Sequence, residues 1–177
     1  MSNPKLISEE YREQQAYLHD NYEYGTASIG LAPLVSGLID KLEVDELLDY
    51  GSGRGNLSKH LSCNRRLRIQ QYEPSNPKLS DPPEPSEFVA CLDVLEHIEP
   101  ELLDNVLDDL LRVTRKYGFF TIHIFPAAKH LPDGRNAHLI QKPASWWLPH
   151  IEKRFNVLQF THTPNGFNVL CEPIKEG

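Results

Sequence analysis

The chain has 177 residues, a net charge of −7, 40% hydrophobic residues and 24% charged residues. This length suits one domain, residues 1–177, with a hydrophobic core large enough to be stable without disulfide bonds. The acidic balance argues against general nucleic-acid binding, because that affinity comes from lysine and arginine on phosphates.

The three cysteines, Cys63, Cys91 and Cys171, are scattered and form no CxxC pair. This predicts a reduced, cytoplasmic protein without a disulfide framework or a cysteine zinc site. The first residues are polar, so no signal peptide is expected. No apolar run approaches the roughly 20 residues of a membrane span, so no membrane association is expected either.

The first half of the chain indicates two helices, then a strand, a short helix and a second strand. Ser8 is a good N-cap for the first helix, and the second carries apolar residues at helical spacing. Asn56 is the candidate cap of the short helix. The predicted bounds are Ile7–Asp20, Ala27–Leu42, Glu46–Tyr50, Asn56–Cys63 and Leu67–Pro74.

In the second half, the proline-rich segment Ser75–Glu87 is predicted to hold no regular element. A strand over Phe88–Val94 has no polar alternation before Asp93, so it should be buried on both faces. A helix over Pro100–Gly118 and a strand over Phe119–Pro126 follow. After a long loop, "ASWWLPHIEKRF" predicts a helix bent or broken near Pro149, and "FNVLQFTHT" and "FNVLCEP", joined by "PNG", predict a hairpin.

Strands that alternate with helices indicate an α/β fold with a doubly wound, mostly parallel sheet. The closing hairpin adds antiparallel strands at the carboxyl terminus. Ligands of such sheets bind at the carboxyl ends of the strands, beside the first strand. Gly51, Gly53 and Gly55 follow the first strand directly, and they allow positive φ angles and close approach of a ligand.

The glycine spacing separates two cofactors. Dinucleotide-binding folds have the motif GxGxxG, but here Asn56 occupies the position of the third glycine. Asp49 precedes the glycines, and Glu73 ends the second strand about 20 residues on, where a carboxylate can bind a ribose diol. Both kinds of fold share that acid, so it indicates an adenosine-type ligand without choosing between them.

Three segments together resemble the class I S-adenosylmethionine-dependent methyltransferases of the type 11/12 group: "LLDYGSGRG", "YEP" and "CLDVLEHIEP". With "LPDGRNAHLIQKPASWW", the chain is also similar to small methyltransferases of bacteria and their phages. The resemblance implies a Rossmann-like fold, S-adenosylmethionine as cofactor, and the N-terminal helices, residues 7–42, as a cover over cofactor and substrate. The implied cofactor-binding residues are Asp49, Tyr50, Gly51, Gly53, Gly55, Glu73, Pro74, Asp93, Val94 and Leu95, with Tyr24 and Gly25 from the N-terminal side.

The chain departs from this family between Glu73 and Phe88. The family has a helix, a strand and another helix there, and the short proline-rich connection cannot hold them. We therefore expect six strands, with the outer strand missing.

The acceptor side is expected to hold Glu96, His97 and His138, the candidate catalytic residues. Asp93, Glu96 and His97 would share one face of a helical turn, and the loop that carries His138 is long enough to fold back over them. The set resembles the metal site of small-RNA 2′-O-methyltransferases, so Asp93, Glu96, His97 and His138 are also candidate ligands of a divalent metal. A metal-free role of His97 in the active site is favoured.

Other polar residues have plainer interpretations. His19 and His60 are expected at the surface, and His123 within a strand core. Asp133–Asn136 forms a turn from which Arg135 could anchor an anionic substrate, and at least one of the two tryptophans should fill the core.

The leading hypothesis is methyl transfer to oxygen or nitrogen of a small-molecule or nucleotide-like acceptor. A metal-assisted RNA 2′-O-methyltransferase and a non-catalytic binding domain that keeps the fold are the alternatives. The motifs of amino-DNA and cytosine-C5 methyltransferases are missing.

Overall fold

The structure, a computed structural model, describes residues 4–22 and 26–174. It contains five α-helices and six strands in the described chain. The helices are α1 (Glu9–Asn21), α2 (Ala27–Leu42), α3 (Asn56–His60), α4 (Leu103–Val113) and α5 (Ala144–Glu152). The strands are β1 (Glu46–Tyr50), β2 (Arg68–Tyr72), β3 (Ser86–Leu92), β4 (Thr114–His123), β5 (Phe155–Thr163) and β6 (Gly166–Pro173).

The six strands form one mixed sheet in the order β2-β1-β3-β4-β6-β5. The first four strands are parallel, β6 runs antiparallel to β4, and β5 and β6 form the hairpin predicted at "PNG". This confirms the Rossmann-like α/β fold class and the six-stranded sheet.

Helices cover both faces of the sheet because successive strand residues point to opposite sides. On β1, Leu47 packs with α2 and α3, whereas Leu48 packs with α4 and α5. Trp147 of α5 is completely buried in the second of these layers, as expected for at least one tryptophan. Nearly every residue of β3 is buried, which agrees with its unbroken apolar sequence.

The proline-rich segment takes the place of the missing outer strand. In the described chain β2 is followed directly by β3, and the connection lies along the open edge of β2. Gln70 of β2 exchanges hydrogen bonds with the backbone of Glu84, at 2.9 Å and 3.1 Å, and Glu73 N donates to the carbonyl of Leu79 at 3.0 Å. These bonds, two of them from the Gln70 side chain, attach the connection to β2 and to the residue after it without a regular strand.

The helix predicted over Pro100–Gly118 is shorter than expected. Pro100–Leu102 forms a 3₁₀ turn, α4 ends at Val113, and residues 114–118 begin β4. Thr114 Oγ1 donates to the carbonyl of Leu110 at 2.7 Å and closes the helix. Pairing with β3 extends the strand back to Thr114, so the sheet overrides the local helical preference.

Two basic residues of the segment 114–118 form ion pairs with residues of other strands. Lys116 Nζ lies 2.7 Å from Glu87 Oε1, and Arg115 pairs with Glu46 of β1. Gly118, predicted to stop the helix, lies inside β4 opposite Cys171. Its Cα faces the ring of Phe120, where an added Cβ would come within 2.8 Å of Cζ.

Smaller differences occur at element ends. The N-cap of α3 is Gly55 in a left-handed conformation rather than Asn56, and α3 ends at His60. The helix α5 continues through Pro149 to Glu152 and does not break there. Within residues 4–22 and 26–174, none of the helices has the length and apolar character required to cross a bilayer.

Candidate functional site

A cavity of about 510 Å³ opens at the carboxyl ends of β1, β3 and β4. This is the edge where open parallel sheets bind their ligands. One wall is α1, which packs through Tyr11 and Leu18 on Leu131 and Ala137 of the long loop after β4. The cavity therefore lies between the sheet and a cover made of α1 and that loop.

The turn after β1 presents bare backbone to one end of the cavity. Gly51 and Gly53 have φ angles of 79° and 52°, a region that L side chains rarely adopt. A Cβ on Gly51 would lie 2.5 Å from Cγ2 of Val94, so a larger residue cannot fit without displacement. The turn is held to β2, since Gly51 N and Ser52 N both donate to the carbonyl of Tyr72, at 2.8 Å and 3.0 Å.

The Glu73 carboxylate is fixed at this end of the cavity. Oε2 accepts a hydrogen bond from Gly53 N at 3.0 Å, and Oε1 accepts from the Ser75 amide and hydroxyl at 3.0 Å and 2.7 Å. The residue is only 7% exposed, and its exposed surface lines the cavity. The two motifs predicted to bind the cofactor are thus joined by a direct hydrogen bond.

Asp49 lies beside Glu73 and is almost completely buried. Its Oδ2 has no hydrogen-bond partner among the described residues. Burial, and secondarily the neighbouring Glu73 carboxylate, raise the pKa of Asp49 to about 7. A buried, unsatisfied carboxyl that faces a cavity is well placed to receive a cationic ligand group.

The structure divides the residues predicted to bind the cofactor. Those that line the cavity are Asp49, Gly51, Gly53, Glu73, Pro74, Asp93 and Val94. Tyr50, Gly55 and Leu95 do not, and Tyr24 and Gly25 lie outside the described residues. The Tyr50 hydroxyl instead donates to Asp109 Oδ2 at 2.8 Å, on the face of the sheet that α4 covers. Leu95 belongs to the core, and Gly55 is packed against Gln71.

The other end of the cavity holds the imidazoles. Glu96 and His97 lie on a 3₁₀ turn, Leu95–His97, and His138 lies on the long loop. One potential ligand atom from each of Glu96, His97 and His138 falls within 4.8 Å of the others. The three predicted catalytic residues are therefore brought together, although His138 follows Glu96 by 42 residues in the chain.

Backbone carbonyls set the orientation of the two rings. Nδ1 of His97 lies 2.8 Å from the Ala137 carbonyl, and Nδ1 of His138 lies 2.6 Å from the Phe125 carbonyl. A carbonyl only accepts, so the proton of each neutral ring is on Nδ1 and the lone pair is on Nε2.

Burial favours the uncharged form of each group in this cluster. It lowers the pKa of His97 to about 3, with His138 contributing, and lowers the pKa of His138. Burial, and secondarily Asp93, raise the pKa of Glu96 well above its usual range. Glu96 Oε1 accepts from His123 N at 3.1 Å, whereas Oε2 is buried without a hydrogen-bond partner in the described chain.

Asp93 lies apart from this cluster. Its backbone has a φ angle of 52°, and Oδ1 accepts from the Thr121 hydroxyl at 2.5 Å. Oδ2 is 3.4 Å from Nε2 of His123. The expectation that Asp93 shares one helical face with Glu96 and His97 is therefore wrong, because the left-handed residue redirects the chain before the turn begins.

Two histidines expected elsewhere line the cavity. His123 ends β4 at the sheet edge, with about a third of its side chain exposed. His19 lies on α1, four and eight residues after Gln15 and Tyr11, which line the same cavity. This i, i+4, i+8 spacing is the sequence signal that could have indicated His19 as a cavity residue, since it places all three side chains on one face of a helix.

The other two polar residues considered in the sequence, Arg135 and His60, lie outside the cavity. Arg135 pairs with Asp133 at 2.7 Å in the predicted turn, next to Gly134 in a left-handed conformation. His60 is exposed on α3, as expected.

Solved structures share this fold. A 1,6-didemethyltoxoflavin-N1-methyltransferase of Burkholderia thailandensis, with S-adenosylhomocysteine and its substrate bound, matches 99% of the chain and 94% of its own at a TM-score of 0.68 and 15% identity. A mitomycin 7-O-methyltransferase matches 91% of the chain and 61% of its own (TM-score 0.67, 14% identity). A small RNA methyltransferase matches 84% of the chain but only 25% of its own (TM-score 0.63, 13% identity).

No family model and no curated protein matches the sequence. At these identities the structural likeness concerns the fold. The chain has the Rossmann-like fold of the class I S-adenosylmethionine-dependent methyltransferases.

Proposed function

We propose that the protein is an S-adenosylmethionine-dependent methyltransferase acting on oxygen or nitrogen of a small-molecule or nucleotide-like acceptor. The observation that carries this proposal is the Glu73 carboxylate held on the amide of Gly53. This bond supports the proposal because it brings a carboxylate, the group that binds ribose diols in such folds, next to the glycine turn at the carboxyl ends of β1 and β2.

The residues at this end of the cavity fit the cofactor. The buried, unsatisfied Oδ2 of Asp49 suits a cationic group, and the backbone of Gly51 and Gly53 lines the cavity without side chains. When bound, S-adenosylmethionine supplies a methyl group that its sulfonium already activates. The protein must then mainly hold an acceptor atom in line with that methyl, so positioning carries much of the rate.

The cover supports this role. Tyr11, Gln15 and His19 of α1 line the cavity from above, and Arg54 of the glycine turn donates to the carbonyls of His19 and Tyr22. The turn that would bind the cofactor is therefore tied directly to the helix that would cover it.

Calorimetry on the purified chain with S-adenosylmethionine and S-adenosylhomocysteine tests the proposal. Glu73→Ala should weaken binding by roughly 1.5–3 kcal/mol, the range for hydrogen bonds to a charged group. Glu84→Ala is the matched control, because Glu84 is an exposed glutamate in the same connection. No heat and no thermal shift at millimolar cofactor would contradict the proposal.

A metal-assisted transfer is the second candidate. The observation in its favour is the cluster of Glu96, His97 and His138, with two imidazoles oriented by backbone carbonyls and one buried, unsatisfied carboxylate oxygen. Metal-bound histidines are commonly held in this way by their other nitrogen. A divalent ion here would polarise the acceptor hydroxyl, as required of a 2′-O-methyltransferase.

Metal analysis of protein purified without chelator separates the two versions. A stoichiometric ion, lost in Glu96→Ala and His138→Ala alike, would favour the metal. Full transfer activity after treatment with a chelator would favour the metal-free version.

A further inference from the structure

The charges around the cavity limit what the acceptor can be. Among the described lining residues, Lys129 is the only lysine or arginine, whereas Asp49, Glu73 and Asp93 are acidic. Nζ of Lys129 lies 4.8 Å from the centre of the Tyr22 ring and is engaged there. A phosphate or carboxylate would therefore meet carboxylates without a guanidinium to bind it in two-point fashion.

The nearby arginines are committed elsewhere. Arg135 forms its ion pair with Asp133 outside the cavity, and Arg54 donates to carbonyls at the end of α1. The expectation that Arg135 anchors an anionic substrate has no support in this arrangement.

The walls at the imidazole end are apolar. Ile7, Ile98 and Ala127 line them, and Phe125 stands at the rim with 54% of its surface exposed. An exposed phenyl ring at the mouth of a cavity offers a flat surface on which another ring can stack.

The polar groups at this end mainly accept hydrogen bonds. The His138 proton is on Nδ1, which donates to the Phe125 carbonyl, so Nε2 is an acceptor. His123 faces the cavity beside the Asp93 carboxylate. A ligand that complements these groups brings an O–H or N–H donor rather than further lone pairs.

We propose that the acceptor is an uncharged, planar aromatic or heteroaromatic molecule, a phenol or a ring N–H compound, whose donor group faces His123 and His138 while its ring stacks on Phe125. This inference rests on the proposed methyl transfer and narrows its acceptor. It applies to the metal-free version of the site, in which Nε2 of His138 accepts the hydrogen bond from the acceptor molecule.

Three probes with one ring system test it: 2-naphthol, 2-methoxynaphthalene and 2-naphthyl phosphate. Each is titrated into the full chain saturated with S-adenosylhomocysteine. 2-Naphthol should bind about tenfold or more tightly than the ether, which lacks the donor, and than the phosphate, which carries the charge. Indole and 1-methylindole form a second matched pair for the ring N–H.

Two variants locate the binding. Phe125→Ala should weaken 2-naphthol binding by about three- to tenfold without changing the affinity for S-adenosylhomocysteine. Leu158→Ala, which removes a similarly exposed apolar side chain on β5, is the control. His123→Phe should reduce the preference for 2-naphthol over its methyl ether, because the donor loses one of its two partners.

Tighter binding of 2-naphthyl phosphate, or binding of none of the five probes, overturns the inference. Methyl transfer to a short RNA with no transfer to the aromatic donors overturns it in favour of the RNA alternative. These results differ from failure of the proposed function, in which S-adenosylhomocysteine itself does not bind.

Discussion

The two ends of the cavity are built in different ways. The end proposed to bind the cofactor, called the cofactor end below, is formed by two short segments. They are the turn after β1 and the residue after β2, joined by the hydrogen bond from Gly53 to Glu73. The imidazole end comes from separate pieces: a 3₁₀ turn, the last residue of β4 and a loop that returns over both. Parallel strands bring the first set together automatically, whereas the second depends on how a long loop packs.

The difference extends to electrostatics. At the cofactor end a carboxyl with a pKa of about 7 can change charge near neutral pH. At the imidazole end burial shifts the pKa values of Glu96, His97 and His138 in the directions that favour their neutral forms. The first end is suited to a cation and the second to a neutral donor. Four substitutions test these differences between the two ends of the cavity.

The largest effect is expected from Gly53→Val. The residue has a φ angle of 52°, and a Cβ would lie 3.2 Å from Cε1 of His19, so a branched side chain is strained and fills the ligand space. We expect no detectable S-adenosylhomocysteine binding by calorimetry in a variant that remains folded. Gly37→Val, on an open face of α2, is the control for replacing a glycine. Cofactor binding by Gly53→Val would show that the turn is not a binding surface.

Asp49→Asn should change how stability depends on pH. The pKa of Asp49 rises from 3.8 to about 7 on folding, so its contribution to stability is present below about pH 4 and is lost as the pH rises through 7. Relative to the variant, the cofactor-free protein should lose up to about 4 kcal/mol of unfolding free energy between pH 4 and 8. Urea titrations across this range measure the difference. Parallel pH profiles of the two proteins would contradict a buried, titrating Asp49.

His138→Ala should affect the imidazole end alone. Removing a group that orients or deprotonates the acceptor typically costs about a hundredfold or more in kcat. S-adenosylhomocysteine affinity should be unchanged, because His138 lies away from Glu73 and the glycine turn. His162→Ala, an exposed histidine on β5, is the control. If transfer is unaffected in the variant, the loop serves packing only.

Glu96→Gln should have the smallest effect on stability. Burial raises the pKa of Glu96 well above its usual range and so favours the neutral carboxyl, which glutamine resembles in size and charge. The unfolding free energy, measured with chelator present, should change by less than about 1 kcal/mol. A loss of several kcal/mol would mean that Glu96 is ionised in the folded protein and paired with a cation.

The sequence predicted the elements where local signals and the sheet agree. The bounds of α2 and β1 match the predicted ranges, and the hairpin at "PNG" is confirmed. The missing outer strand also followed from chain length, because fourteen residues between Glu73 and Phe88 cannot hold a helix, a strand and another helix.

The helix predicted to Gly118 failed for a physical reason. Helical spacing continues locally past Val113, but Thr114, Tyr117 and Gly118 pair with residues of β3, a partner strand that the local sequence does not reveal. The positions of His19 and His123 in the cavity were not predicted for a similar reason. Whether a residue on a helix or at the end of a strand faces solvent or a cavity depends on the elements that pack opposite it.

From the sequence alone, the fold class and the contact between Glu73 and the glycine turn could be predicted, because the carboxyl ends of adjacent parallel strands lie at the same edge of the sheet. Tertiary structure alone decided which residues share the imidazole end. Asp93 turns away through a left-handed backbone to face His123, and the loop returns His138 to Glu96 and His97. Those positions depend on long-range packing of α1, the loop and β4, for which chain spacing provides no rule.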